Sequence, residues 1–325
     1  MRLLITGAAG FIGSNYVRNL LSGAYGGSDI QVTALDKLTY AGNLENLAPV
    51  HDHPRFTFVH GDICDARLLA ELMPGHDAVV NFAAETHVDR SITGADAFVQ
   101  TNVLGTANVL QAAKDARVPR MVHVSTDEVY GSIGSGSWTE ESPLLPNSPY
   151  AATKASADLL ARAFARTYGL DVSVTRCGNN YGPYQYPEKI IPLFVTNLLL
   201  GGTVPLYGDG LNVRDWLHVD DHCRGIHLVL EQGRPGEAYN VGGGQELTNR
   251  RLTALLLKAC GVGPERIRAV PDRPGHDRRY SLNDAKLRAL GYTPQVAFLE
   301  GLASTVAWYR DNPQWWQPLR RDVAA

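Results

Sequence analysis

Short apolar runs alternate with segments of helical periodicity through the first half of the chain. Arg2–Thr6, Gln31–Leu35, Phe56–Val59, Ala78–Phe82, Met121–Val124 and Val172–Thr175 are rich in Val, Ile, Leu and Phe and predict strands buried on both faces. Between them, Ile12–Leu21, Ala66–Leu72, Ala95–Ala116 and Tyr150–Tyr168 repeat apolar residues at helical spacing. Strands that alternate with helices predict an α/β fold with a doubly wound parallel sheet of Rossmann type, because parallel neighbours are joined by right-handed helical crossovers. After Tyr181 the prolines at 183, 187, 192 and 205 break the chain into shorter elements. Residues 1–180 are therefore expected to form one domain and 181–325 mainly a smaller, partly discontinuous C-terminal one. Val219–Leu230 and Asn249–Ala259 predict helices there, and Ala238–Val241 predicts a strand returning to the first domain. The segment from Asn312 to Ala325 is expected to be peripheral.

Composition narrows the partners more than the fold. Of 325 residues, 44% are hydrophobic and 19% charged, within the ordinary range for a globular protein. A net charge of −3 with both signs spread along the chain offers no basic stripe for a nucleic-acid backbone, so a small-molecule substrate is expected. Leu3–Ile5 is too short for a signal-peptide core and no run reaches membrane-spanning length, so a cytoplasmic protein is expected. Cys64, Cys177, Cys223 and Cys260 lie far apart and lack metal-ligand spacing, which predicts reduced thiols and no metal site.

The first predicted strand runs into Gly7-Ala-Ala-Gly10-Phe-Ile-Gly13 and then a helix. That order suits a dinucleotide. Gly7 permits the turn, Gly10 lets main-chain amides approach a pyrophosphate, and Gly13 lets the helix pack close to the strand, with the helix N-terminus adding partial positive charge. Asp36, at the end of the next strand, can accept both adenosine ribose hydroxyls and would repel a 2′-phosphate, which favours NAD over NADP. Asp62 and Ile63 follow a further strand, where the adenine edge would lie.

Tyr150 and Lys154 stand four apart at the start of a helix and share one face. A phenol is a weak base at neutral pH, but a neighbouring ammonium and a positive nicotinamide ring both favour phenolate. The strand Met121–Val124 runs into the polar cluster Ser125-Thr126-Asp127-Glu128, at the carboxyl end of a parallel strand, where doubly wound sheets bind ligand. Like charge and burial can part the two carboxyl pKa values, leaving one an acid and the other a base, as the elimination of water requires.

These motifs, with Ala83-Ala-Glu-Thr-His87, Arg176-Cys-Gly-Asn-Asn-Tyr-Gly-Pro183 and Asp272-Arg-Pro-Gly-His276, resemble the bacterial dTDP-glucose 4,6-dehydratase family of the extended short-chain dehydrogenases over nearly the whole chain. The glycine turn and the Tyr/Lys pair are common to that superfamily, whereas Asp127 and Glu128 discriminate. The resemblance implies NAD held by Gly7, Gly10, Phe11, Ile12, Gly13, Asp36, Lys37, Leu38, Thr39, Asp62, Ile63, Ala83, Ala84, Glu85, Thr86, His87, Thr101, Tyr150, Lys154 and Asn180. It implies C4 oxidation of dTDP-glucose with Tyr150 as base, elimination across C5 and C6 by Glu128 and Asp127, and return of hydride to C6 with NAD regenerated. Thr126 would bond the 4-hydroxyl. By the same resemblance His87, Asn179, Lys189, Ile190, Pro205, Leu206, Tyr207, Arg214, Asn249, Asp272, Arg273, Pro274, Gly275 and His276 contact sugar, diphosphate and thymine. The helices Ala95–Ala116 and Tyr150–Tyr168 resemble those of an intersubunit four-helix bundle, which implies a homodimer.

Two other readings share much of this pattern. A nucleotide-sugar 4-epimerase or a UDP-glucuronate decarboxylase would use the same NAD and the same first oxidation, but Asp127 argues against both. A non-catalytic NAD sensor or scaffold is open to the same fold, and the retained Tyr150, Lys154, Asp127 and Glu128 argue against it.

Overall fold

The computed structural model describes residues 1–26, 29–272 and 275–320. In chain order its strands are β1 (Arg2–Thr6), β2 (Gln31–Asp36), β3 (Phe56–His60), β4 (Ala78–Asn81), β5 (Arg120–Thr126), β6 (Val172–Cys177), β7 (Asn179–Tyr181), β8 (Val204–Tyr207), β9 (Val213–His218), β10 (Ala238–Val241), β11 (Glu246–Thr248) and β12 (Ile267–Val270). Seven of them form one sheet in the order β10-β6-β5-β4-β1-β2-β3, with every pairing parallel. Every residue of β4 and β6 is buried, as strands covered on both faces require.

One face of the sheet packs Tyr16, Val17 and Leu20 of the Phe11–Leu21 helix with Cys223, Ile226 and Val229 of the Val219–Gln232 helix. The other packs Leu69, Val109, Leu110 and Ala161, from the Ala66–Leu72, Thr106–Asp115 and Pro149–Tyr168 helices. The last helix is delimited by local chemistry: the Ser148 hydroxyl accepts the Ala151 amide at 3.1 Å, Pro149 opens the first turn, and Gly169 closes it at φ +68°. Strand order reverses between β1 and β4, so the loops after β1, β2, β4, β5 and β6 converge on one crevice.

The expected helix over Ala95–Ala116 is instead three segments: Asp96–Phe98 α-helical, Val99–Gly105 π-helical and Thr106–Asp115 α-helical. Asn102 supplies a reason for the wide turn. Its buried side chain accepts the Glu85 amide at 2.8 Å and donates to the Glu85 carbonyl at 3.0 Å and the Thr153 hydroxyl at 2.9 Å. The segment after Asn312, expected to be peripheral, is also different: Pro313–Leu319 is helical and buries Trp315 and Trp316. They join a third apolar cluster with Tyr181, Phe194, Trp216, Leu256 and Tyr309. Beside this cluster lie a three-stranded sheet, β11-β9-β7, and a two-stranded one, β12-β8. Among the described residues no helix is long and apolar enough to cross a membrane, and Cys64, Cys177, Cys223 and Cys260 are free thiols.

Candidate active site

Gly7 turns the chain at φ +65°, and a Cβ there would sit 2.6 Å from the Ala83 amide nitrogen. A Cβ at Gly13 would lie 2.2 Å from the Gly7 carbonyl oxygen, so the helix can approach β1 this closely only without a side chain. Gly10 caps the Phe11–Leu21 helix with no side-chain bond, which leaves first-turn amides available to an anion.

This turn opens on a cavity of about 440 Å³, bounded by the loops after β1, β4, β5 and β6 and by residues 185–194, 205–207, Arg214, Trp216, Asn249 and His276. It adjoins a cleft of about 70 Å³ walled by Leu35, Asp36, Lys37, Gly61, Asp62, Ile63, Glu85 and Thr101, and Gly7, Thr39, Ala83 and Ala84 border both. The elongated shape, with the glycine turn in the middle and a carboxylate at the narrow end, fits a dinucleotide. At the other end, the buried Ser125 Oγ, Asp127 Oδ2 and Asn180 Oδ1 have no hydrogen-bond partner among the described residues, which suits a polar ligand.

Asp36 does more than the sequence predicts. Its Oδ2 accepts the Ala9 amide and its Oδ1 the Leu38 amide, both at 2.8 Å, so it holds the glycine turn to the loop after β2. Burial raises its carboxyl and these two bonds work against that rise. Lys37 pairs with Asp62 at 2.6 Å across the mouth of the narrow cleft.

At the wide end Tyr150, Lys154, Thr126 and Asp127 are all buried, and Glu128 lines the cavity beside them. Thr126 caps the short 3₁₀ turn Asp127–Tyr130, its hydroxyl accepting the Glu128 amide at 3.3 Å. Burial pushes the Asp127 carboxyl well above the carboxylate range, and the Glu128 charge adds to the rise while Arg214 opposes it. A carboxyl raised in this way favours its protonated form, the form a general acid needs.

The Tyr/Lys pair is shaped by its burial as well as by its spacing. Burial raises the Tyr150 phenol, Glu128 raises it further, and the hydrogen bond with Thr126 lowers it. The Lys154 ammonium is bonded instead to the Val124 carbonyl at 2.7 Å, and its own burial lowers it to about 8 against the opposing pull of Asp158. In the protein alone Tyr150 is therefore a neutral phenol.

Most of the expected substrate residues reach the wall: His87, Asn179, Lys189, Ile190, Pro205, Leu206, Tyr207, Arg214, Asn249 and His276. Arg214 is fixed by the carbonyls of Val213 at 2.8 Å and Asp277 at 3.0 Å and lies 4.3 Å above the Tyr280 ring, and Lys189 bonds the Thr86 carbonyl at 2.9 Å. Asp272 and Gly275 lie off the wall; Asp272 reaches it through His276, 2.6 Å away. Leu38 also lies off it, turned into the core at φ +54°. Arg273 and Pro274 lie outside the described residues. The wall also includes Ser125, from the polar cluster that the sequence singled out, and Cys177, Gln185, Glu188 and Trp216, which sequence reasoning missed. Cys177 stands inside a motif already singled out, whereas Trp216 arrives through the β7–β9 pairing and has no local signature.

Comparison with known proteins agrees with this geometry. The GDP-mannose 4,6 dehydratase family model matches residues 4–305. A dTDP-glucose 4,6-dehydratase of Streptomyces niveus is 62% identical over 322 residues, covering 98% of this chain and 96% of that protein. The crystal structure of DesIV, a dTDP-glucose 4,6-dehydratase from Streptomyces venezuelae with NAD and dTDP bound, is 67% identical and superposes with a TM-score of 0.97, covering 98% of this chain and 100% of that one. UDP-glucose 4-epimerase of Thermotoga maritima shares the fold at 31% identity and a TM-score of 0.89, covering 96% and 100% of the two chains, so fold alone does not separate the two chemistries.

Proposed function

The chain belongs to the dTDP-glucose 4,6-dehydratase family, and from that premise we propose how its residues divide the reaction. The enzyme converts dTDP-glucose to dTDP-4-keto-6-deoxyglucose, a step in deoxysugar biosynthesis. When bound, NAD supplies the oxidation at C4 and the matching reduction at C6, so no external reductant is consumed.

Tyr150 would take the C4 hydroxyl proton as a phenolate, the form that the Lys154 charge and a bound, positively charged nicotinamide ring favour over the neutral phenol of the protein alone, with Thr126 bonding the same hydroxyl. The resulting 4-keto group acidifies the C5 hydrogen. Glu128 removes that hydrogen as a proton while Asp127 gives its own proton to the departing C6 hydroxyl, which leaves as water. C5 is later reprotonated and C6 becomes a methyl carbon. One observation supports this assignment: Asp127 is buried, its carboxyl is raised by that burial and by the neighbouring Glu128, and both line the same cavity as Tyr150.

Arg214 and Lys189 suit the diphosphate, and Asn249 and His276 suit the nucleoside end. Residues 1–180 with β10 would bind NAD, and most of 181–320 would hold the sugar nucleotide. A cytoplasmic location fits the small-molecule chemistry. A homodimer is supported by Val99, Leu104 and Leu159, large apolar side chains exposed on the two helical runs that resemble a bundle interface, and sedimentation would test it.

The purified holoenzyme, given dTDP-glucose or UDP-glucose without reductant, tests the whole reading by mass spectrometry and NMR. Loss of one water with a new C6 methyl signal is expected from dTDP-glucose. An isomer of unchanged mass would indicate epimerisation instead.

A further inference from the structure

The turn that carries Asp127 and Glu128 and the helix that carries Tyr150 and Lys154 are separated by residues 131–148, so their relative placement depends on what joins them in space. Buried side chains make that connection. Asp158 lies one turn beyond Lys154 and accepts Arg176 Nε at 2.7 Å. From β6, Arg176 also donates through Nη1 to the Tyr130 hydroxyl at 2.7 Å and lies 4.9 Å from the centre of its ring. Tyr130 ends the Asp127–Tyr130 turn, and its hydroxyl donates to Asn240 Oδ1 on β10 at 2.8 Å. None of these four residues lines the cavity.

The network is poorly suited to stability as its main purpose. A buried carboxylate–guanidinium pair contributes little net stability over apolar packing, and here Asp158 Oδ1 and Arg176 Nη2 have no hydrogen-bond partner among the described residues. What it does achieve is orientation, because it links the helix, the turn and two strands through charged and directional bonds.

We propose that Tyr130, held by the Asp158–Arg176 pair and Asn240, is a positioning residue that keeps the Asp127–Glu128 turn in register with the Tyr150 helix for the elimination of water. The inference rests on the residue roles given above. Thr126 is anchored independently, in the β5 ladder opposite Cys177, so only the far end of the turn depends on Tyr130. Loosening that end displaces Glu128 and Asp127 while Thr126 and Tyr150 stay in place. Oxidation at C4 then continues and elimination slows.

Tyr130→Phe removes the hydroxyl and keeps the ring. With the holoenzyme and dTDP-glucose, kcat is expected to fall about 10- to 100-fold, the scale for a group displaced by about 1 Å, with KM unchanged. Bound reduced cofactor, followed by its near-ultraviolet absorbance, should build up during turnover. Asp127→Asn run in parallel separates two failures: if it accumulates reduced cofactor and Tyr130→Phe does not, the positioning role is lost, whereas if neither does, the assignment of the elimination step is lost. Turnover at the parent rate, or a slower rate without accumulation, overturns the role of Tyr130. Should Tyr130→Phe fail to fold, Arg176→Lys, which keeps the charge but cannot reach both partners, is read the same way; failure of both to fold would show a stability element and overturn the proposal.

Discussion

The Lys154 ammonium donates to the main-chain carbonyl of Val124 at 2.7 Å, at the centre of the sheet and out of contact with water. Burial lowers its pKa to about 8 from an ordinary 10.5. Between those two values the unfolded chain binds the proton and the folded protein does not, so this group makes the folded state more stable as pH rises through that window. Below about pH 8 the cost of the buried charge is present in full. The Tm of the parent relative to Lys154→Met should therefore rise between pH 8 and pH 10; a difference independent of pH would mean that Lys154 titrates as it does in water.

Asp127→Asn keeps the shape of the buried side chain and removes its acidic proton. Reduction of bound cofactor by dTDP-glucose should proceed, and release of water should slow by about 10²- to 10⁴-fold, the range for a lost general acid. Rapid-mixing absorbance read beside product NMR distinguishes the two steps. Unaltered product formation at equal substrate affinity would remove Asp127 from the mechanism.

Tyr150→Phe should act one step earlier. Phe keeps the buried ring and loses only the hydroxyl bonded to Thr126, which removes the acceptor of the C4 proton. Substrate should bind and no reduced cofactor should form on the parent's time scale. A variant that still reduced its cofactor at the parent rate would assign the base elsewhere.

These sites differ in how far the sequence reveals them, and range of interaction explains the difference. The Gly7–Gly13 turn and the Tyr150–Lys154 pair are legible because their geometry is set within one turn of chain and by the strand or cap beside them. β10 is legible as a strand because every one of its residues is buried in the sheet. The π-helical turn at Asn102 is not, since it depends on bonds to Glu85 and to Thr153, 17 and 51 residues away. Nor is the burial of Trp315, whose indole donates to Asn46 across 269 residues. The neutral state of Tyr150 was hidden for a related reason: spacing places an ammonium nearby but cannot show that it bonds Val124.

Gly13→Ala tests the closeness of the helix to β1. The added Cβ would meet the Gly7 carbonyl oxygen at 2.2 Å, which main chain on both sides can relieve only by moving apart. A loss of about 1–3 kcal/mol in stability is expected, as for other overpacked sites, together with weaker NAD binding. Denaturant unfolding and calorimetric titration measure the two effects. Parent-like values for both would mean that the turn is more compliant than the contact implies.

Asp36 joins cofactor choice to the shape of the cofactor site, so its replacement should register in two independent measurements. The side chain accepts the amides of Ala9 and Leu38, and Asp36→Ala leaves the buried Ala9 donor without a partner, a loss of about 1–3 kcal/mol, and the half-buried Leu38 donor to water. Asp36→Asn keeps a carbonyl acceptor for one of them and should be the more stable variant. Both substitutions remove the negative charge that opposes a 2′-phosphate, so the ratio of NADP to NAD affinity should rise in both, more cleanly in Asp36→Asn, whose loop is better held. Direct binding of the two dinucleotides checks the ratio and thermal unfolding checks the loop. An unchanged ratio with reduced stability would leave Asp36 a purely structural residue and move the discrimination to the Lys37–Asp62 pair, 2.6 Å apart beside it.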